Sequence, residues 1–205
     1  MTKPPYARPS YYYGLPDMYM QMGYFPFPTP PPPAQLNRNS PYAHPLADPC
    51  KSYMGQTEKI EASDGEHGFA SLVNPLRSSV LLYVNQWLLT NFSPAPLEAH
   101  IWFGKASSIG KAKTSSQVTS GYIQLAACPA AQGQIMFGSG SAHGERDGVF
   151  ASTRIIPPLT TTGAEPHGQW VIGPGMAMVV RVPDAGEKSS FSFCVNWWEQ
   201  PLYEA

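Results

Sequence analysis

The sequence predicts an all-β fold, an antiparallel two-sheet β-sandwich of the jelly-roll type, with an extended Pro/Tyr-rich arm at its N-terminus. Short runs of alternating polar and apolar residues recur along most of the chain, Gly, Pro and Ser separate them, and no helix-length stretch has a 3.6-residue period. Eight or nine strands at this spacing are typical of a sandwich, and the jelly roll is the common eight-stranded form.

The N-terminal region differs in composition from the rest of the chain. The first 50 residues hold 13 of the 23 prolines and 7 of the 11 tyrosines, and their apolar residues show neither a helical nor a strand period. The run FPFPTPPPP (25–33) is poor in backbone donors and favours the extended polyproline II conformation. We therefore predict that residues 1–56 form a low-complexity arm and that residues 57–205 form the sandwich.

The arm is predicted to bind a partner surface, because a segment that cannot build its own core becomes ordered only against another surface. Its aromatic and methionine content favours this interpretation over a solvated tail, which is typically rich in Gly, Ser and charge. The residues expected to anchor the arm are Tyr11, Tyr12, Tyr13, Phe25 and Phe27.

Eight strands are predicted in order after the arm. They cover residues 79–92, 97–103, 117–127, 133–138, 148–156, 168–172, 176–182 and 190–199. Residues two apart share a face of a strand, because side chains alternate between its two sides. The apolar faces predicted in this way consist of Val80, Leu82, Val84, Leu97, Ala99, Ile101, Phe103, Met176, Met178, Val180, Val182, Phe191, Phe193, Val195 and Trp197.

Tryptophans are the residues best suited to surface contacts in this chain. Alternation places Trp197 and Trp198 on opposite faces of the last strand, so only one of them can lie in the core. We expect Trp198, and Trp102 on the polar face of its strand, to contact a partner, since Trp is enriched among binding hot spots. An exposed Trp can equally stack on a sugar ring, so a carbohydrate- or ligand-binding module is the alternative function.

The charge content excludes two classes of partner. Only 13% of the residues are charged and the net charge is −1, which gives no electrostatic basis for binding nucleic acid or an anionic membrane. The longest apolar stretch, at 79–89, is too short to span a bilayer, and the N-terminus has no apolar core of a secretory signal peptide.

The sequence contains no motif that indicates a reaction, so we predict neither an enzyme nor a cofactor or metal site. The patterns GxSxG, HExxH and GxxxxGK[ST] are absent, and the five histidines are isolated from one another. The nearest approach to a site is SAHGERDG (141–148), whose mixed polar residues between glycines are more typical of a hairpin turn.

The three cysteines, Cys50, Cys128 and Cys194, show no CxxC spacing, so neither a disulfide framework nor a zinc site is indicated. An odd number of cysteines favours an intermolecular bridge in an oxidising compartment. In a reducing compartment all three would be small hydrophobic residues.

Four segments resemble a set of uncharacterised small β proteins of spore-forming bacteria. These segments are VNPLRSSVLLYVNQW (73–87), TNFSPAPLEAHIWFG (90–104), GQWVIGPGMAMVV (168–180) and FCVNWWEQP (193–201). They carry the frame N-P-x-x-S, then I-x-P-G before the penultimate strand, then a terminal W-W-E. This layout is similar to that of jelly-roll subunits of bacterial spore appendages and of some phage head and tail accessory proteins.

The resemblance implies a structural protein that polymerises or coats a surface. Appendage subunits of this kind link head to tail when an N-terminal extension reaches a neighbour and satisfies the open backbone groups of an edge strand, sometimes with cysteine cross-links. It implies an intersubunit disulfide from Cys50 to Cys128 or Cys194. It also implies a location at the spore or cell surface, reached without a signal peptide by lysis of the mother cell; a cytoplasmic protein is the alternative.

The predicted function is therefore that of a non-enzymatic subunit that assembles through its arm. The expected partners are further copies of the chain or other surface proteins, and carbohydrate is the possible alternative ligand.

Overall fold

The computed structural model describes residues 49–62, 65–122, 128–140, 148–183 and 188–202, which lie in a compact unit spanning Ser40–Ala205. They form two antiparallel sheets packed face to face, and the prediction of an all-β sandwich is confirmed. The predicted arm anchors Tyr11, Tyr12, Tyr13, Phe25 and Phe27 lie outside the described residues.

The first sheet is built around two long strands of the predicted set. Its central ladder joins β4 (Val80–Asn91) to β13 (Ser189–Pro201), and β1 (Ser52–Gln56) lies on the other side of β13. The shorter strands at its margins are β2 (Ile60–Ala62), β7 (Val118–Ser120), β10 (Thr161–Ala164) and β11 (Trp170–Ile172). The strand order is β10-β4-β13-β1-β7, with β11 also on β4 and β2 on β13.

The second sheet has the order β6-β8-β3-β12-β5-β9. Its strands are β3 (His67–Val73), β5 (Leu97–Lys105), β6 (Lys113–Thr114), β8 (Gln134–Gly140), β9 (Gly148–Ile156) and β12 (Met176–Val182). The long strands β3, β4 and β5 alternate between the two sheets, whereas β5, β8, β9 and β12 all lie in the second sheet. The sheets are larger than the four-plus-four arrangement of an eight-stranded jelly roll, because several short strands extend them.

The core follows from the two-residue period of the strands. Each apolar face predicted above points between the sheets, and Phe191, Phe193, Val195 and Trp197 of β13 are at most 1% exposed. A bulge at Asn85 lets β4 keep Val84 and Trp87 on the inner face although they are three residues apart. The exception is Met176, which lies at the start of β12 and is exposed.

Two motifs of the resemblance meet in space. The side-chain amide of Asn74 donates to the carbonyls of Val80 (2.8 Å) and Ile172 (2.9 Å), and the backbone N–H of Gly175 donates to the carbonyl of Asn74 (2.8 Å). Gly175 has a φ of 78°, a conformation that glycine adopts without steric cost. N-P-x-x-S and I-x-P-G thus meet at the buried side chain of Asn74, and the contact supports a structural role for both motifs.

The sandwich begins earlier than the sequence predicts. A 3-10 turn at Pro49–Lys51 leads into β1, which pairs with β13 on one side and β7 on the other. The prediction of an arm that extends to residue 56 is therefore wrong for residues 49–56. The reason is that β1 has only one large apolar side chain that faces inward, Tyr53, and one residue cannot show a strand period. Tyr53 is buried against Trp197, with 5.9 Å between the two ring centroids.

Candidate functional site

The β9 strand forms an open edge of the second sheet. It is nine residues long and pairs with β5 on one side; within the described residues no strand pairs with its other side. Three of its large apolar side chains are exposed, Val149 at 71%, Phe150 at 49% and Ile155 at 61%. An edge of this kind offers alternate backbone N–H and C=O groups to another chain, and exposed apolar side chains strengthen such pairing.

An aromatic surface continues from this edge onto β5. Trp102 lies opposite Phe150 in the register, and their rings meet edge to face at 5.1 Å. Two residues before Trp102, the ring of His100 lies with its centroid 6.0 Å from that of Phe150. The Nε2 of His100 is 2.8 Å from the Oε1 of Glu98. The Nε1 of Trp102 is buried without a hydrogen-bond partner in the described part of the chain. Trp102, predicted to be a surface contact, is thus half-buried beside the open edge.

Trp198 is covered by its own chain, so the prediction that it is a surface contact is wrong. Its side chain points away from the core, as alternation requires, but only 7% of the residue is exposed. The indole ring stacks on the ring of Tyr83, with 5.3 Å between the ring centroids and an interplanar angle of 1°. The turn at His167–Gly168 lies over it, held by the N–H of Gly168, which donates to the carbonyl of Val84 (2.7 Å). A Cβ at Gly168 would come within 2.0 Å of the Trp198 ring.

The other tryptophans do not form an exposed platform for sugar rings. Trp87 and Trp197 are each 1% exposed, and Trp170 is half-buried with its ring against Phe103 at 5.2 Å. Trp102 and Trp170 are therefore the half-buried tryptophans of the described surface, and Trp102 is the one that lies beside the open β9 edge.

A groove with a cavity volume of about 500 Å³ lies at the opposite side of the sandwich from β9. Strands β6 and β8 contribute Thr114, Gln134 and Ile135, which belong to the far end of the same sheet as β9. The remaining walls come from β1, from the 115–122 segment and from the 128–133 segment. None of the described residues that line it carries a charge, which suits an uncharged ligand.

The 128–133 wall of the groove is held at three points. Cys128 forms a disulfide with Cys50, and the hydroxyl of Tyr53 donates to the carbonyl of Pro129 (3.1 Å). The carboxylate of Glu199 accepts from the backbone N–H of Gln132 (3.1 Å) and of Gly133 (2.8 Å). The same carboxylate accepts from Trp197 Nε1 (3.1 Å). A wall fixed in this way presents a preformed surface to a ligand.

The cysteines depart from what the resemblance implies. Cys50 pairs with Cys128 within one chain, 78 residues apart, whereas an intersubunit bond was expected for Cys50. The sequence does not predict this disulfide, because Cys50 falls within the predicted arm. Its approach to Cys128 is a contact between residues that are far apart in the chain. Cys194 is a free thiol on the outer face of β13, half-buried, and burial raises the pKa of its thiol.

No group of three or more His, Cys, Asp or Glu residues that could hold a metal ion occurs in the described part of the chain. His100 and His167 each lie near one glutamate, Glu98 and Glu165 respectively. Of the sequence SAHGERDG (141–148), residues 141–147 lie outside the described residues. None of the helices in the described residues is long and apolar enough to span a membrane.

Two residues that shape the groove were not singled out as a site from the sequence. The sequence does not mark Glu199 as a site residue, and Tyr53 falls within the predicted arm 1–56. A weak signal was available for Glu199, because it lies two residues after Trp197 and so shares the inward face of β13. A charge on that face requires buried donors.

Comparison with known proteins finds one family. No curated protein and no solved structure matches the chain. A family of unknown function, DUF6143, matches residues 41–204, which include every described strand and exclude most of the proline-rich region. The chain belongs to this family.

Proposed function

We propose that this protein is a non-enzymatic structural subunit that assembles into a filament or surface layer of the spore-surface or appendage type. The N-terminal region of one subunit would reach the next, and the partners would be further copies of the chain or other surface proteins. The proposal involves no cofactor, and carries over the spore- or cell-surface location that the resemblance implies.

The open β9 edge is the observation that carries this proposal. A nine-residue edge strand with three exposed large apolar side chains is a liability that soluble monomers avoid with charges, prolines or bulges. β9 holds no proline, but it holds one charged residue, Arg154, and a bulge at Ala151, where its register on Ile101–Trp102 shifts. The exposed side chains of Val149, Phe150 and Ile155 are therefore the features of β9 that favour pairing with another extended chain.

The N-terminal region contains a segment suited to this edge. Proline cannot donate to a sheet ladder, so a pairing strand must come from a proline-free run. The longest such run in the first 48 residues is DMYMQMGYF (17–25), nine residues that equal the length of β9. An arm that binds an edge elsewhere on its neighbour makes a heterologous contact, which extends into a fibre when the rotation does not close.

The test compares full-length chains that differ at the edge. In one variant, Val149→Lys and Ile155→Lys place charges on β9; in the matched control, Met54→Lys and Leu76→Lys alter two apolar side chains that are exposed elsewhere. Light scattering and negative-stain microscopy should show particles for the wild type and the control, and monomers for the edge variant. Urea unfolding would check that all three chains are folded.

A monomeric wild type at high concentration would contradict the proposal. Assembly of the β9 variant to the same extent as the control would show that another surface carries the contact.

The second candidate function is binding of an uncharged carbohydrate. The groove favours it, because its described walls carry hydroxyl and amide groups and no charge. A glycan array probed with the full chain would test this function, and binding that Gln134→Ala abolishes would place the sugar in the groove. An array without binding would remove this candidate.

A further inference from the structure

We infer that the Cys50–Cys128 disulfide is a redox-controlled clasp on the groove, closed when the bond is oxidised and open once a dithiol has reduced it. The wall that it controls is the 128–133 segment, which contributes Cys128, Pro129, Ala130, Ala131 and Gly133 to the groove lining. The inference concerns the groove alone, so it does not depend on assembly through β9.

The disulfide lies where a reductant can reach it. Cys50 and Cys128 are both half-buried, and Pro129 and Ala130, which follow Cys128, are exposed. Thiol–disulfide exchange requires a thiolate to approach one of the two sulfurs, so its rate depends on access. A bond at this position can open in the folded protein, whereas a bond inside the core would open only on unfolding.

The reaction exchanges one disulfide for another. A thiolate of the dithiol attacks one sulfur of the Cys50–Cys128 bond, which breaks and leaves a mixed disulfide; the second thiol of the dithiol then displaces the protein sulfur. Two electrons and two protons pass to the protein, so Cys50 and Cys128 become thiols and the dithiol becomes a cyclic disulfide. That cyclic disulfide can reverse both steps.

Reduction removes the covalent tether of the wall and leaves hydrogen bonds at its other positions. The carboxylate of Glu199 holds the far end, where it accepts from the N–H groups of Gln132 (3.1 Å) and Gly133 (2.8 Å). Pro129 is held by a neutral, partly buried hydrogen bond from the Tyr53 hydroxyl, and water can replace such a bond at small net cost. Without the disulfide we therefore expect residues 128–131 to move away from the groove.

Movement of the wall would change the shape of the groove. Tyr53 and Ile135 line the groove, although they are only 5% and 0% exposed. The groove would widen toward these two side chains when residues 128–131 move. The oxidised and reduced chains would then offer different surfaces to a ligand, and the preformed groove would belong to the oxidised chain.

The surrounding sheet should stay folded when the bond opens. β1, which follows Cys50, is paired on both sides, with five residues on β13 and three on β7. Cys194 does not compete for the thiols, because it lies opposite Gln56, four ladder positions or about 13 Å along the strand from Ser52 at the start of β1. Reduction and reoxidation should therefore move the wall between two states and restore the same bond.

The experiment measures amide hydrogen exchange of the full chain by NMR, before and after treatment with the dithiol dithiothreitol. In the reduced chain the amides of Gln132 and Gly133 should exchange at least about tenfold faster, because their bonds to Glu199 open more often once the adjoining residues are free. Amides of β4 and β13 should change by less than about twofold.

Three variants separate the tethers. Cys50→Ala with Cys128→Ala should show the fast exchange at residues 132–133 without dithiothreitol and should not respond to it. Cys194→Ser is the matched control and should respond as the wild type does. Tyr53→Phe removes one hydrogen bond, so exchange should stay slow in its oxidised form and exceed that of the wild type in its reduced form.

Equal exchange of the 132–133 amides in the oxidised and reduced chains would overturn the inference, since hydrogen bonds alone would then close the wall. Faster exchange throughout β4 and β13 would also overturn it, because the bond would stabilise the whole fold and not the wall. A disulfide that dithiothreitol reduces only in urea would contradict the access, and fast exchange in oxidised Tyr53→Phe would assign the clasp to the hydroxyl.

Discussion

At the scale of single residues, Gly168, Glu199 and Cys194 have environments whose effects can be measured by substitution or chemical labelling. Gly168 allows a turn to lie directly over Trp198. Glu199 accepts hydrogen bonds from the backbone of the 132–133 loop, which is not part of a strand. Cys194 carries a half-buried thiol. For each residue, a matched control distinguishes the expected effect from the general effect of a substitution or of labelling.

Gly168→Ala should destabilise the fold by about 2–4 kcal/mol, because the added Cβ overlaps the Trp198 ring and the residue has a φ of 78°. Gly65→Ala is the control: its φ is 84°, but none of the described residues has an atom within 4 Å of the added Cβ. It should cost only about 1 kcal/mol, the backbone part of the effect. Urea unfolding measures both, and equal losses would contradict the packing of the turn on Trp198.

Glu199→Gln should lower the free energy of unfolding by about 1–3 kcal/mol, since an amide nitrogen replaces one oxygen that accepts from a buried N–H. The exposed Glu98→Gln should change it by less than about 0.5 kcal/mol. Chemical denaturation gives both values. A Glu199→Gln chain as stable as the wild type would show that the 132–133 loop is held by other contacts.

Cys194 should react slowly with iodoacetamide in the folded protein near neutral pH. Burial raises the pKa of its thiol, which keeps the thiolate, the reacting species, scarce. The alkylation rate should increase as the pH rises and should reach that of an ordinary thiol when the chain is unfolded in urea. A rate at neutral pH equal in the folded and unfolded chains would contradict the burial.

At the scale of elements, β1 shows most clearly what sequence patterns miss. Its five residues contain one large inward-facing side chain, Tyr53, so alternation is too short to be seen beside a proline-rich region. The faces of the long strands β4, β5, β12 and β13 were predicted, and β13 has the four core residues that its two-residue period indicates. The seven-residue β3 was not predicted. The short strands β2, β10 and β11 are defined by their ladders with β4 and β13 and have little pattern of their own.

The disulfide that secures β1 should contribute about 2–5 kcal/mol, because it closes a 78-residue loop in the unfolded chain. Cys50→Ser with Cys128→Ser should therefore lower the urea midpoint, and the partly buried Cys194→Ser should lower it much less. Alkylation of the unreduced, unfolded wild type should label one cysteine out of three. Labelling of all three would show that the bond does not form.

At the scale of the whole molecule, the surfaces proposed to assemble are nearly uncharged. The net charge is −1 and the β9 edge holds one charged residue, Arg154. Association of the full chain should therefore depend little on salt.

Raising NaCl from about 0.05 M to about 0.5 M should change the midpoint concentration of assembly by less than about threefold, since screening acts on charges and leaves backbone pairing and apolar burial in place. Light scattering at several salt concentrations measures this midpoint. Dissolution of the particles by salt would indicate a charged interface and contradict assembly through β9.

Local residue patterns predict the class of fold, the faces of β4, β5, β12 and β13, and the distinct composition of the proline-rich region, but they do not predict β3. Those properties are local, since periodicity and composition are written in neighbouring residues. Long-range contacts explain why Trp198 is covered, why Cys50 meets Cys128, and why the groove and the open edge lie at opposite ends of one sheet. Each of these depends on which strands become neighbours, a pairing between residues far apart in the chain that no local pattern encodes.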